Sequence, residues 1–320
     1  MRCFNSVGNA IPFFIFRFNG AEAPCYGPCY GLCYGEKGDK TMDNRKKAAL
    51  VGCSDPLPQS EKEDVARLLR VLEENGLATA VSPVLLTEGL PSPEEKAAVL
   101  NGFFRDPAVD YIFDVSGGDL ANTVLPYLDY DAIRASRALY FGFSDLTTVI
   151  NAIIAKTGRE AVNYQVRNLV YDDAVSQQRY FRESVLTGRF DTAALEPSFL
   201  RGSRMEGKVC GGNIRCFLKL AGTPYWPDMT GGILLLESLG GGVYQMVTAL
   251  EQYRQSGVFD KINGVLLGTF TRMEENDLKP TVEELVLRMT PENLPVAKTR
   301  RVGHYNDARA IPLGREIVIE

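Results

Sequence analysis

Three side chains that could act together on a carbonyl group lie far apart in the 320-residue sequence: Ser144, Glu237 and His304. A serine hydroxyl attacks a carbonyl only when a base takes its proton, and an imidazole is well suited to that task because its pKa lies near neutrality. A carboxylate that orients the imidazole completes such a triad. His304 is the only histidine in the chain, so a serine and histidine mechanism must use it.

The stretch "GFSDLTTVI" leaves two interpretations of Ser144 open. A serine before an apolar helical run is a typical helix N-cap. The same position also suits a nucleophile, because a sharp turn from strand to helix exposes the hydroxyl. The free N–H groups of the helix start, beginning with Asp145, could then hold an oxyanion. Only half of the Gly-x-Ser-x-Gly pattern is present, since Leu146 stands where the second glycine would be.

The other candidates also have structural alternatives. Glu237 ends the apolar stretch "GGILLLES", and a carboxylate at the end of a buried strand is costly unless it is paired, although it could simply reach solvent. His304 follows a glycine in a polar loop, which favours function, although a lone histidine is usually structural. Gly117 and Gly118 follow a further strand and could present N–H groups to the oxyanion.

The elements that must position these residues alternate between strands and helices. Apolar runs near residues 47–53, 109–115 and 138–143 are each followed by an amphipathic helical pattern, which indicates a parallel sheet. Binding groups collect at the carboxyl ends of such strands. We therefore expect Ser54, the glycine turn and Ser144 along one edge. Capping boxes predict three helix starts, at Ser60 with Glu63, Ser92 with Glu95, and Thr281 with Glu284.

These patterns predict an α/β protein of two domains with the active site in the cleft between them. Residues 42–160 form a Rossmann-like parallel-sheet domain with the nucleophile. Residues 161–204 are a bridging segment, and residues 205–320 form a mixed α/β domain with Glu237 and His304. Residues 1–41 are an irregular leader with a Cys-Tyr-Gly repeat at Cys25, Cys29 and Cys33, and Met42 is a candidate start.

Composition excludes several classes of function. The formal net charge is -5 and basic residues form no stripe, which argues against nucleic-acid binding. No apolar run reaches the roughly 18 to 20 residues of a membrane span. The seven cysteines are an odd number, and few follow the leader, which fits a reducing compartment and a cytoplasmic location. The alternative is a weak secretion signal around residues 10–16.

Several motifs in order resemble the LD-carboxypeptidase family of serine peptidases, which includes muramoyltetrapeptide carboxypeptidases and microcin C immunity proteins. The resemblance covers residues 47–319. It rests on the following stretches: "GG" with "LPYLDYDAIRA" (117–135), "GFSD" (142–145), "GGN" with "LAGTPYWPD" (211–228), "ILLLE" (233–237), "GVFDKINGVLLG" (257–268), and "GHYND" ahead of "IPLG".

The resemblance implies Ser144 as nucleophile, His304 as general base and acid, and Glu237 as the group that holds the imidazole. It implies an oxyanion hole from the N–H of Asp145 with the Gly117 and Gly118 turn. Asn213 would face the substrate. No metal or organic cofactor is implied, and a homodimer fits the family. The implied reaction removes a C-terminal residue across an L-to-D peptide bond, from murein tetrapeptides in peptidoglycan recycling.

Two departures from the family pattern concern the substrate. Residues 116–120 read Ser-Gly-Gly-Asp-Leu where cell-wall enzymes tend to show Arg-Gly-Gly-Tyr-Gly, and "VNYQVRN" (162–168) replaces a usual His-Gly-Pro segment. The turn is closer to the microcin-immunity branch, so a peptidyl-nucleotide antibiotic is the alternative substrate. A further alternative is a non-catalytic two-domain ligand-binding protein, in which Ser144, Glu237 and His304 need not converge.

Overall fold

The computed structural model describes residues 45–320. The predicted leader over residues 1–41, with its cysteine repeat, lies outside the described residues. Within residues 45–320, no helix is both long enough and apolar enough to cross a membrane.

The first sheet has six strands, and five of them are parallel as predicted. These five are β1 (Lys47–Val51), β2 (Ala78–Val81), β3 (Val109–Asp114), β4 (Leu139–Gly142) and β5 (Ala161–Asn163). They lie in the order β5-β4-β3-β1-β2. The apolar residues of β1, β3, β4 and β5 are buried except for Leu139, because helices cover both faces of such a sheet, whereas those of the edge strand β2 are partly exposed. A sixth strand, β11 (Ile311–Leu313), returns from the end of the chain and pairs antiparallel with β5.

The second sheet also has six strands and is mixed, as predicted for the C-terminal half. Its strands are β6 (Ser198–Arg201), β7 (Met205–Asn213), β8 (Ile233–Ser238), β9 (Gly264–Phe270), β10 (Val296–Lys298) and β12 (Glu316–Ile319). Strands β7, β8, β9 and β10 are parallel neighbours, whereas β6 and β12 are antiparallel at the two edges. The two sheets confirm the α/β class and the two-domain architecture.

Two of the three capping boxes predicted from the sequence are found at the starts of helices. The capping boxes at Ser92 and Thr281 are both formed. The predicted box at Ser60 is wrong, because a 3-10 turn that begins after Pro58 already continues into the helix, so no side chain caps it. The helices are α1 (Lys62–Glu74), α2 (Pro93–Arg105), α3 (Tyr130–Ala135), α4 (Thr147–Thr157), α5 (Ala174–Tyr180), α6 (Ile214–Leu218), α7 (Val243–Gln255), α8 (Thr271–Glu275) and α9 (Val282–Met289).

Helix α4, which follows Ser144, is hydrogen bonded to the second sheet. The buried side chain of Asn151 donates to the carbonyl of Gly211 (2.8 Å) and accepts from its N–H (3.0 Å). The N–H of Asn213 donates to the Thr147 hydroxyl (3.0 Å). Since buried polar groups are costly without partners, these bonds fix the end of β7 against the start of α4. The two predicted halves of the site are thereby held together.

Candidate active site

Ser144 lies in a strained turn between β4 and α4. Its φ is +58°, in the left-handed region that a residue with a side chain occupies at a cost of about 1–2 kcal/mol. The turn is tight because a Cβ on Gly142 would lie 2.7 Å from the Cβ of Leu146. The capping interpretation is wrong: Ser144 begins a 3-10 turn, and no side chain caps that turn or α4. This backbone is typical of a nucleophile elbow.

Glu237 and His304 are in contact. Nε2 of His304 lies 3.2 Å from Oε2 of Glu237, whose side chain is fully buried, whereas the imidazole is 12% exposed. Neither carboxylate oxygen of Glu237 accepts an aligned hydrogen bond from any described residue. Since a buried carboxylate is costly without partners, the Glu237 charge depends on the imidazole beside it.

A close packing of backbone segments places His304 beside the serine turn. A Cβ on Gly303 (φ +140°) would overlap the Thr269 hydroxyl, so only glycine lets the loop approach β9 this closely. The N–H of His304 then donates to that hydroxyl (3.3 Å). The imidazole ring centre lies 4.5 Å from the ring centre of Phe143, the residue before Ser144. Residues from the two halves of the chain therefore meet here.

The side chain of Asp145 is buried and fully hydrogen bonded. Its Oδ2 accepts from the Ser54 hydroxyl (2.6 Å) and the Ala121 N–H (2.8 Å), and its Oδ1 accepts from Nζ of Lys219 (2.5 Å). These bonds connect the residue after the nucleophile to the loops after β1 and β3, and to the end of α6. Ser54 and Ser144 therefore lie at one edge of the first sheet, as the sequence predicted.

The glycine turn after β3 is held by Asp55. The carbonyl of Gly117 accepts from the Asp55 N–H (3.2 Å), and the Asp119 N–H donates to Oδ1 of Asp55 (3.0 Å). Gly118 has a φ of +124°, and a Cβ there would overlap the Asp55 carboxylate. The turn therefore requires glycine at this position.

Gly118, Ser144 and Asn213 line one cavity of about 920 Å³, which lies between the glycine turn, α6 and the start of α7. Asp145, Glu237 and His304 do not line it. Oδ1 of Asn213 accepts from the Cys216 N–H (3.2 Å) and caps α6. The amide nitrogen Nδ2 is therefore the part of this side chain that remains for a ligand.

Two charged residues near the site are absent from the sequence-based prediction. Asp114 ends β3 and accepts from the Cys53 N–H, the Ser116 N–H and hydroxyl, and the Tyr140 hydroxyl. Burial nevertheless raises the pKa of Asp114 above its usual value. It ends an apolar strand as Glu237 does, so the same signal could have identified it. Lys219 had a weaker signal, its position four residues after Arg215 on the same helix face.

Comparisons with known proteins identify the family of the chain. The family model described as the LD-carboxypeptidase N-terminal domain matches residues 48–164, and that of the LD-carboxypeptidase C-terminal domain matches residues 206–319. The chain is 25% identical over 273 residues to the probable murein peptide carboxypeptidase of Bacillus subtilis, covering 80% of this chain and 83% of that protein. It is 23% identical over 262 residues to the microcin C7 self-immunity protein MccF of Escherichia coli, covering 71% and 76%.

A solved structure shares the fold. MccF in complex with glutamyl sulfamoyl guanosine matches with a TM-score of 0.75 at 20% identity, covering 85% of this chain and 92% of that one. The two family models together match most of the chain. The chain therefore belongs to the LD-carboxypeptidase family and is a carboxypeptidase-type hydrolase.

Proposed function

We propose that the protein is a serine carboxypeptidase that cleaves the C-terminal L-to-D peptide bond of murein tetrapeptides, in peptidoglycan recycling. The main support is the contact between the buried Glu237 and His304, next to the strained turn of Ser144. A strained serine, the only imidazole in the sequence and a carboxylate that accepts no aligned hydrogen bond from any described residue are the components that a catalytic triad requires.

In the proposed reaction, the Ser144 hydroxyl oxygen attacks the carbonyl carbon of the scissile bond and His304 takes the hydroxyl proton. Glu237 stabilises the imidazolium that forms. The N–H of Asp145, with the Gly117 and Gly118 turn, holds the tetrahedral oxyanion. When the C–N bond breaks, His304 returns the proton to the leaving amine. Water then gives a proton to His304 and attacks the acyl-enzyme, which releases the shortened peptide and restores Ser144.

The murein substrate is supported by the relatives. One of them is named a probable murein peptide carboxypeptidase, and another, from Pseudomonas aeruginosa, a murein tetrapeptide carboxypeptidase. The cavity beside Ser144 is large enough for a small peptide, with Asn213 in its lining as the predicted substrate-facing residue. The proposal includes a cytoplasmic location, where such peptides are recycled, and a homodimer.

A peptidyl-nucleotide antibiotic is the second candidate substrate. MccF is described with glutamyl sulfamoyl guanosine and with aspartyl sulfamoyl adenosine, and it shares the fold. In this chain, the turn after β3 reads Ser-Gly-Gly-Asp-Leu, which is closer to that branch. The same triad chemistry would apply to either substrate.

The test is release of D-Ala from muramoyl tetrapeptide by the wild type and by Ser144→Ala. We expect the variant to lose on the order of 10⁴- to 10⁶-fold in kcat, because removing a triad nucleophile leaves only binding and oxyanion stabilisation. The exposed Ser256, after α7, gives the matched control Ser256→Ala, which should retain wild-type turnover.

A peptide–nucleotide conjugate is assayed in parallel with the murein peptide. If the enzyme hydrolyses the conjugate but not the murein peptide, the peptidyl-nucleotide compound and not murein is the substrate. Equal turnover by the wild type and Ser144→Ala, with either substrate, would contradict the proposed role of Ser144 as the nucleophile.

A further inference from the structure

Helix α6 presents two cations to the cavity that contains Ser144. Arg215 and Lys219 are four residues apart, and both line it. Among the described residues of the lining, the only other charged one is Asp119, in the glycine turn. The cavity wall therefore has more positive than negative charge, which favours an anionic ligand.

Lys219 already donates hydrogen bonds to two groups of the protein. Its Nζ lies 2.5 Å from Oδ1 of Asp145 and 2.8 Å from the carbonyl oxygen of Asp119, and its side chain is only 18% exposed. Asp145 is fully buried, so releasing Lys219 would leave a carboxylate in the interior without its cation, which is costly. Lys219 is therefore not the group that receives a ligand.

Arg215, in contrast to Lys219, is exposed and makes only a surface ion pair. Its Nη1 lies 2.6 Å from Oδ1 of Asp119, and both side chains are 64% exposed. An exposed pair of this kind contributes only about 0–1 kcal/mol. A guanidinium has five N–H donors in a planar fork that matches a carboxylate. A ligand carboxylate can therefore replace Asp119 on Arg215 at little cost.

We propose that Arg215 determines specificity by binding the terminal carboxylate of the peptide substrate, and that Asp119 occupies Arg215 in its absence. The inference rests on the proposed function. An enzyme that removes one C-terminal residue must recognise the free carboxylate of that residue, and a cation in the same cavity as the nucleophile supplies this recognition.

The backbone of Asp119 is held independently of its side chain. Its N–H donates to Asp55, and its carbonyl accepts from Lys219. Asp119→Asn therefore removes the competing charge while the turn keeps its position. The variant separates competition by Asp119 from any change in the turn itself.

The experiment compares two muramoyl tetrapeptides that differ only at the last residue, D-Ala with a free carboxylate or D-Ala amide. For the wild type, we expect kcat/KM to be about 10- to 100-fold higher for the carboxylate, the range for a hydrogen bond between charged groups. Arg215→Gln should reduce this ratio to near one, through a higher KM for the carboxylate peptide, and leave the amide peptide unaffected. Asp119→Asn should lower the KM of the carboxylate peptide several-fold.

The matched control is Arg254→Gln, because Arg254 is an exposed arginine that pairs with Glu251 on α7 and does not line the cavity. It should leave the ratio unchanged. A ratio in Arg215→Gln equal to that of the wild type would overturn the inference about Arg215. Failure of the wild type to cleave either peptide would instead overturn the proposed function, so the two failures are distinguishable.

Discussion

Two buried carboxylates lie near Ser144, and their surroundings differ. Asp145, on the side of the first sheet, accepts from a hydroxyl, a backbone N–H and a lysine. Glu237, on the side of the second sheet, accepts no aligned hydrogen bond from any described residue and has only the His304 imidazole nearby. Both side chains are fully buried.

We propose that this difference distinguishes a structural carboxylate from a catalytic one. A buried carboxylate that accepts hydrogen bonds from three donors is stabilised by them. Because Asp145 directly follows Ser144, its three bonds also hold the turn that contains Ser144. A buried carboxylate with one titratable neighbour has an interaction energy that depends on whether that neighbour is protonated. We infer that Asp145 contributes mainly to stability and Glu237 mainly to activity.

Among substitutions of these carboxylates, the largest expected effect comes from Glu237→Gln, which keeps the shape and removes the charge. We expect kcat/KM for muramoyl tetrapeptide to fall about 10³- to 10⁴-fold, because the imidazolium loses its stabilising partner. The free energy of unfolding should change by less than about 1 kcal/mol, because the weakened contact with His304 is offset by the removal of a buried charge. Steady-state kinetics and denaturant titration measure the two quantities.

Glu251→Gln, at an exposed glutamate of α7, is the matched control for Glu237→Gln and should change neither quantity appreciably. A Glu237→Gln protein with wild-type kinetics, or one that fails to fold, would reverse the assignment of Glu237 to activity.

Asp145→Asn should affect mainly stability. We expect the free energy of unfolding to fall by about 2–4 kcal/mol, because Lys219 loses its buried counter-charge and the new amide group faces N–H and O–H donors. Guanidinium titration measures this loss. Adding Lys219→Met should recover part of it, since the unpaired cation is then removed.

Asp106→Asn breaks a half-exposed pair with Lys47 and is expected to cost less than about 1 kcal/mol. Comparable losses in Asp145→Asn and Asp106→Asn would mean that the bonds of Asp145 contribute no more than a surface pair.

Local patterns predicted the surroundings of the candidate reactive residues but not the backbone conformation of Ser144. The end of the apolar run before Glu237 indicated a buried carboxylate, and the glycine before His304 indicated a loop; both are observed. The same local reasoning gave the wrong cap at Ser144, because its positive φ depends on how Gly142 packs against Leu146. That contact is invisible in residue spacing alone.

Contacts between residues far apart in the chain were the second feature that the sequence alone did not predict. Strand β11 has three residues, "IPL", and its pairing with β5 brings together positions about 150 residues apart. The bond from Lys219 to Asp145 spans 74 residues. Helical periodicity indicates which face of α6 contains the cations, but it does not indicate which carboxylate each of them meets. The tertiary fold decides those partners.

The smallest expected effect concerns Asp114, which lies between the two extremes because it has several donors and burial still raises its pKa. A carboxyl with a raised folded-state pKa binds its proton more tightly in the native state. Its contribution to stability is therefore complete below the unfolded pKa of about 3.9 and is lost as pH rises through the folded pKa. The stability of the wild type minus that of Asp114→Asn should thus fall with rising pH.

Asp129 provides a control of opposite sign for the Asp114 measurement. The Ala132 N–H and Arg105 lower its pKa, so its contribution is present above the unfolded pKa and is lost as pH falls through the folded pKa. The stability of the wild type minus that of Asp129→Asn should therefore rise with pH. Urea titrations from about pH 2 to pH 7, a range that extends below and above the unfolded pKa of about 3.9, measure both differences. If the Asp114 difference also rises, its donors outweigh burial, and Asp114 belongs with Asp145 as a saturated structural carboxylate.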